Sequence, residues 1–231
     1  MGFMRRSGKN EEKRSEEQEG GLREATQYFI IDKHSTWRKE IKIFDITSLI
    51  ELPYLSEAWD DHIRTIQSRI PGKSKDGTEI LPSLEISRAR FFTSMMTISQ
   101  PPDTSPIGTW KGSIFSTQKS VFEFPADSPH SSHPIVMKPM GLWTASEEFV
   151  KESVRHIGKF DKRLSSRYFT LFKQIGSQEI PVAQYRSTKL SVWIGGGVLA
   201  IDDKEIDPVV AVLWCANMLR KVEQRGAESA V

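Results

Sequence analysis

The sequence predicts a mainly β protein: an antiparallel β-barrel of about ten to twelve strands enclosing a hydrophobic C-terminal α-helix. Two observations carry this. Short β-type runs recur from Tyr28 to Ile201, separated by clusters such as Pro101-Pro102-Asp103, Pro125-Ala126-Asp127-Ser128-Pro129 and Gly195-Gly196-Gly197. Many short strands at that spacing belong to sandwiches and barrels. The segment Val209-Val210-Ala211-Val212-Leu213-Trp214-Cys215-Ala216-Asn217-Met218-Leu219 is apolar around its whole circumference. A surface helix shows a single apolar stripe, so this one is expected inside the sheet.

Along the chain, residues 1–24 carry six basic and six acidic side chains and end in Gly20-Gly21 and a short charged step. Such a segment has too little apolar surface to offset its ordering entropy and is expected to be a disordered tail. A single barrel domain is expected over 25–226, with a disordered end at 227–231. Residues 28–31 are the first strand. Over 40–46, Ile41 and Ile43 face one way and Lys42 the other. A longer run covers 84–99, followed by strands at 107–115, 120–124, 135–140, 153–157, 168–175, 180–185, 190–194 and 198–201. Leu55, Trp59, Ile63 and Ile66 have helical spacing, so residues 56–70 read equally as helix or as loop and strand. Asp207-Pro208 is an N-cap followed by proline at the first helical position. Arg220, Lys221 and Arg225 suit the C-terminal end of the helix dipole, and the helix is expected from Pro208 to about Gln224.

Composition narrows the function. Hydrophobic residues are 38% and charged residues 27%, with six Trp and twelve Phe, enough for a core. The net charge of +2 excludes a polycation that coats nucleic acid by charge alone, and nucleic acid is not expected as a partner. The lone Cys215 excludes an internal disulfide framework and a Cys-based zinc site. The longest apolar run, 209–216, is far short of the ~20 residues that cross a bilayer, so no transmembrane segment is expected. No apolar stretch follows Arg5 and Arg6, so no secretory signal is expected. Arg6 stands where a myristoylation motif wants Ser or Thr. An intracellular, cytoplasmic protein is expected, peripheral to membranes if it binds them.

The last third carries a resemblance. Arg167-Tyr168-Phe169-Thr170-Leu171-Phe172, Pro181-Val182-Ala183-Gln184-Tyr185-Arg186, Gly197-Val198-Leu199-Ala200-Ile201 and Asp207-Pro208 with its apolar helix form one ordered pattern. Over roughly residues 150–225 it resembles the superfamily of tubby C-terminal domains, phospholipid scramblases and plant LURP-one proteins, and in particular the small tubby-like proteins of fungi. The resemblance implies a barrel around a central helix. The superfamily's functions vary, from phosphoinositide binding to lipid traffic and defence. The scramblase calcium motif has a counterpart in place only at Asp202-Asp203-Lys204-Glu205-Ile206-Asp207. Lys204 interrupts it and no EF-hand-like glycine or ligand alternation is present, so a solvated turn capped by Asp207 is expected there, without calcium.

Catalytic signatures are missing from the sequence. There is no Gly-x-Ser-x-Gly elbow for His34, His62, His130, His133 or His156 to serve. Cys215 sits mid-helix, where a thiol packs. Gly195-Gly196-Gly197 lacks both phosphate-loop patterns and reads as a turn. His130 and His133 with Asp127 form a loop cluster with no element to fix metal geometry. Glu147-Glu148 and Asp60-Asp61 read as helix N-terminal or surface charges. Neither cofactor nor metal is expected.

One asymmetry remains. Between Lys151 and Lys189 nine basic residues face three acidic ones, Glu152, Asp161 and Glu179, an excess of 9 − 3 = +6. Residues 43–63 hold five acids and no Lys or Arg. The expected function is therefore a non-enzymatic domain that binds anionic membrane lipid headgroups, or a protein partner, through its basic side. Arg163, Arg167, Lys173, Arg186 and Lys189 are the expected headgroup-binding residues, gathered on one rim by the strand ends. The alternatives are a small-ligand or catalytic barrel with its site in mouth loops such as 71–83 and 125–134, and a structural interaction module.

Overall fold

The computed structural model describes residues 22, 24–32, 40–70, 80–88, 95–103, 105–112, 119–141, 146–160, 168–187 and 197–228. Twelve strands close into an antiparallel barrel: β1 (Gln27–Ile31), β2 (Glu40–Asp45), β3 (Leu84–Ser87), β4 (Met95–Ser99), β5 (Pro106–Gly112), β6 (Ser120–Glu123), β7 (Ile135–Pro139), β8 (Glu147–Lys151), β9 (Val154–Phe160), β10 (Tyr168–Ile175), β11 (Gln178–Ser187) and β12 (Gly197–Ile201). Each pairs with its sequence neighbour, and β12 closes the ring on β1 with Gln27 opposite Ile201 and Ile31 opposite Gly197. Closure leaves no unpaired edge, which is the hazard an open sheet has to cover by other means.

Alternation decides what enters the barrel. Phe29, Ile31, Ile41, Ile43, Leu84, Ile86, Met96, Ile98, Trp110, Phe122, Ile135, Met137 and Phe149 belong to one buried cluster with the helix α2 (Pro208–Glu228). Every residue from 210 to 220 is at most 4% exposed, whereas a helix lying on a surface would show an exposed stripe every turn. The partners surround the helix. Trp214 meets Phe169 of β10 edge-on at 5.4 Å. Asn217 reaches Ser120 of β6, Met137 of β7 and Glu147 of β8. Arg220 lies 5.4 Å over the Trp110 ring of β5. The helix therefore runs through the barrel, as the all-round apolar run predicts. Gly158 of β9 makes room for it: a Cβ there would stand 2.3 Å from Trp214 Nε1.

A second core lies outside the wall. The helix α1 (Trp59–Gln67) lays Trp59, Ile63 and Ile66 on Tyr28, Ile30, Phe44, Val198 and Ala200, the outward residues of β1, β2 and β12, and on Ile46 just after β2. The helical spacing over residues 56–70 is thus real. Strand β12 is covered by α2 on one face and α1 on the other, which is why all five of its residues are buried. A fully apolar strand is the sequence signature of two covered faces.

Three expectations change. The run at 84–99 is two strands, β3 and β4, rather than one. Glu147-Glu148, expected as helix N-terminal or surface charges, opens strand β8: period-two alternation sends Glu147 into the barrel, 1% exposed, and Glu148 outward to Arg155. The helix runs to Glu228, four residues past its expected end at about Gln224. The expected strand at 190–194 and nearly all of the charged tail fall outside the described residues.

Inside the barrel, the two halves of α2 differ. Residues 209–216 are apolar, but Asn217, Arg220, Lys221 and Glu223 are also buried. Asn217 Nδ2 donates to Glu147 Oε2 at 2.5 Å and its Oδ1 accepts from Ser120 Oγ at 2.7 Å. Lys221 ion-pairs with Glu147. These directional bonds fix the rotation and depth of the helix in a way that apolar packing alone does not.

Candidate functional site

The start of α2 opens at one end of the barrel, and two cavities adjoin there. The first, about 180 Å³, is polar and lies among Lys151, Glu152, His156, Lys173, Glu205 and Asp207. The second, about 280 Å³, is more apolar and lies among Phe29, Leu84, Gln100, His130, Val209 and Val212. Asp207 lines the first and His130 the second, and these two side chains meet. His130 Nδ1 donates to Asp207 Oδ2 at 3.1 Å, while Asp207 Oδ1 accepts the backbone N–H of Val210 at 3.0 Å. Asp207 is thus the N-cap read from the sequence, and its second oxygen ties the helix start to the 124–134 connection.

Each side chain at the polar cavity follows from local sequence. Glu152 and Ser153 form the two-residue turn between β8 and β9, with φ of 51° and 65°. Primed hairpin turns need positive φ, which Gly and Asn adopt more readily than Glu or Ser. Backbone strain of this kind is commonly held at binding sites. The turn points Lys151 inward, where it pairs with Glu152. Lys173 follows a bulge between Leu171 and Phe172; Phe172 packs under Lys159, and Lys173 reaches Glu205 Oε2 at 3.0 Å.

His156 is the buried group of the site, 3% exposed and stacked on Phe149 with centroids 4.9 Å apart. Its Nδ1 donates to the Val154 carbonyl at 3.2 Å. A carbonyl only accepts, so the proton sits on Nδ1 and Nε2 is a bare acceptor. Nε2 is buried with no hydrogen-bond partner. Burial first, with Lys173 and Lys151 adding to it, lowers the His156 pKa to about 4. The unfolded chain takes this proton near the ordinary 6.5 and the folded chain only near 4, so protonation favours unfolding as pH falls through that window. The contribution amounts to about 2 kcal/mol of stability lost between pH 7 and pH 5. His156→Phe keeps the stack and removes the titration. Urea unfolding at the two pH values is expected to show a smaller loss in the variant by that amount; equal losses would refute the assignment.

The sequence-expected headgroup residues are not all gathered here. Lys173 lines the polar cavity. Arg186 lies on the outer wall, over the Tyr168 ring and 3.2 Å from Asp60 of α1. On the β10–β11 hairpin Arg186 is opposite Tyr168, five residues from Lys173, or about 17 Å of strand. These two do not share a rim, because period two and the hairpin's length separate them in both face and height. Arg163, Arg167 and Lys189 lie outside the described residues. His130 turns to Asp207 and His133 pairs with Ser132, and among the described residues no group of three or more His, Cys, Asp or Glu is placed to hold a metal. In the 202–207 turn, Asp202 binds the Lys204 N–H and Asp203 binds Thr26 and Gln27. Cys215 is buried, and burial pushes its thiol pKa up, which suits packing.

Sequence reasoning missed His156 and Lys151. Alternation from Gly158 back through His156 to Val154 is the one signal that could have turned His156 inward. No protein-family model, curated protein or solved structure matches the chain. Among the described residues, no helix is long and apolar enough to cross a membrane.

Proposed function

We propose that this barrel is a binding domain for an anionic amphiphile, taken up at the mouth where α2 begins. The observation that carries the reading is the adjoining of a polar and an apolar cavity across the His130–Asp207 pair. The charged head would lie by Lys151 and Lys173, exchanging their carboxylate partners for its own oxygens. A hydroxyl or ammonium on the head would donate to His156 Nε2, the acceptor that lacks a partner. The tail would cover Phe29, Leu84, Val209 and Val212. A phosphoserine, phosphoglycerol or phosphoinositol head has both the charge and the donors. The resemblance of residues 150–225 to the tubby, scramblase and LURP-one superfamily, in which phosphoinositide binding and lipid traffic occur, agrees with that ligand class. The ion pair of Arg186 with Asp60 favours the mouth over the outer basic side.

The test is calorimetric titration of the full chain with monomeric dihexanoyl phosphatidylserine. Saturable binding is expected, with Lys173→Ala weakening it about tenfold and Gln100→Trp blocking the apolar cavity. No binding, or equal binding of glycerophosphoserine without its tails, would remove the reading.

A further inference from the structure

The charges around the polar cavity do not sum to a positive site. Among the described residues that line it, Lys151, Lys173 and Lys204 stand against Glu152, Asp203, Glu205 and Asp207, a balance of 3 − 4 = −1. His156 adds nothing to that balance near neutral pH, because burial holds its pKa at about 4. The cations are also engaged. Lys151 pairs with Glu152, Lys173 with Glu205 and Lys204 with Glu24. A phosphate that draws Lys151 and Lys173 to itself therefore leaves two carboxylates without their cations. The Glu152 side chain is 73% exposed and can turn to water. Those of Glu205 and Asp207 are 38% and 18% exposed, and their negative charge stays at the cavity. A head that brings only negative charge is repelled by them, whereas a head with its own cation restores the balance.

The kind of cation follows from His156. It lines the same cavity and is 3% exposed, and its Nε2 has no hydrogen-bond partner. With the proton held on Nδ1 by the Val154 carbonyl, Nε2 can only accept. A quaternary ammonium has the charge but no N–H. A hydroxyl has the donor but no charge. A primary ammonium has both, and a charged donor makes the stronger bond. Its three N–H groups are enough for Nε2 and for the carboxylates of Glu205 and Asp207.

We propose that the polar cavity is specific for a head that carries a primary ammonium beside its phosphate, with Lys151 and Lys173 on the phosphate and His156 Nε2, Glu205 and Asp207 on the ammonium. The inference rests on the amphiphile reading and narrows it. Phosphoserine is the preferred head, and phosphoglycerol and phosphoinositol, which lack the cation, are disfavoured.

The experiment is calorimetric titration of the full chain with three monomeric dihexanoyl lipids of equal net charge: phosphatidylserine, its N,N,N-trimethyl derivative and phosphatidylglycerol. Phosphatidylserine is expected to bind tightest. The trimethyl form loses the N–H bond to Nε2 and phosphatidylglycerol loses the cation, so each should bind about tenfold more weakly. His156→Phe keeps the stack on Phe149 and should bring phosphatidylserine down to the level of the trimethyl form. Glu205→Gln should narrow the preference for phosphatidylserine over phosphatidylglycerol. Should His156→Phe not fold, the phosphatidylglycerol comparison and Glu205→Gln decide. Three results would each overturn the ammonium site and leave the amphiphile reading standing: phosphatidylglycerol or the trimethyl form binding as tightly as phosphatidylserine, a gap between phosphatidylserine and its trimethyl form that survives in His156→Phe, or an unchanged preference in Glu205→Gln. No binding of any of the three lipids removes both.

Discussion

Trp214→Ala should lower the unfolding free energy by about 3–5 kcal/mol, the usual range for removing a buried large aromatic side chain. Trp214 is 0% exposed at the centre of the enclosed helix, against Phe169 and over Gly158. Collapse cannot fill the gap, because the barrel wall is held at a fixed radius by a closed ring of hydrogen bonds. Trp214→Phe should cost less, since it keeps the edge-on contact with Phe169 and loses only one ring. Urea denaturation measures both. A Trp214→Ala protein as stable as wild type would mean that the helix does not fill the barrel.

Glu147→Ala is expected to cost a similar amount for an electrostatic reason. It removes the carboxylate that Lys221 and Asn217 share in the interior. Breaking one partner of a buried ion pair typically costs about 3–5 kcal/mol, because the other charge stays out of water. The double variant Glu147→Leu with Lys221→Met removes both charges and should regain most of the loss. A double variant less stable than Glu147→Ala would show that the pair itself, and not the desolvated charge, sets the cost.

The barrel and its helix were legible because each had a local signature. Ile41-Lys42-Ile43 alternates, and Val209 to Leu219 is apolar all round. The mouth was less legible. Its members come from residues 130, 151, 156, 173 and 207, and only closure of the ring brings them together. Lys173 was reached through a charge excess along the sequence, but linear charge does not know about faces: the same excess contains Arg186, which the hairpin sends to the outer wall. Glu147 was misread for a related reason. Two adjacent glutamates are a surface signal by composition, and only the pairing of β8 with β7 and β9 sends one of them inside.

Strand β12 has a consequence for biosynthesis. The hydrogen bond from Thr26 to Ile201 joins residues 175 apart, and β12 is the strand that closes the ring on β1. A ribosome therefore releases eleven strands' worth of chain before the twelfth exists, and the central helix comes later still. Until then the inner face, with Trp110, Phe122, Phe149 and Phe169, has nothing to pack on. Pairings of such long sequence separation form slowly, and the waiting sheet exposes both its edges and its aromatic lining to other chains. A nascent chain of this design stays sticky until β12 and the central helix have been made, and a chain cut short before Ile201 yields a ring that cannot shut.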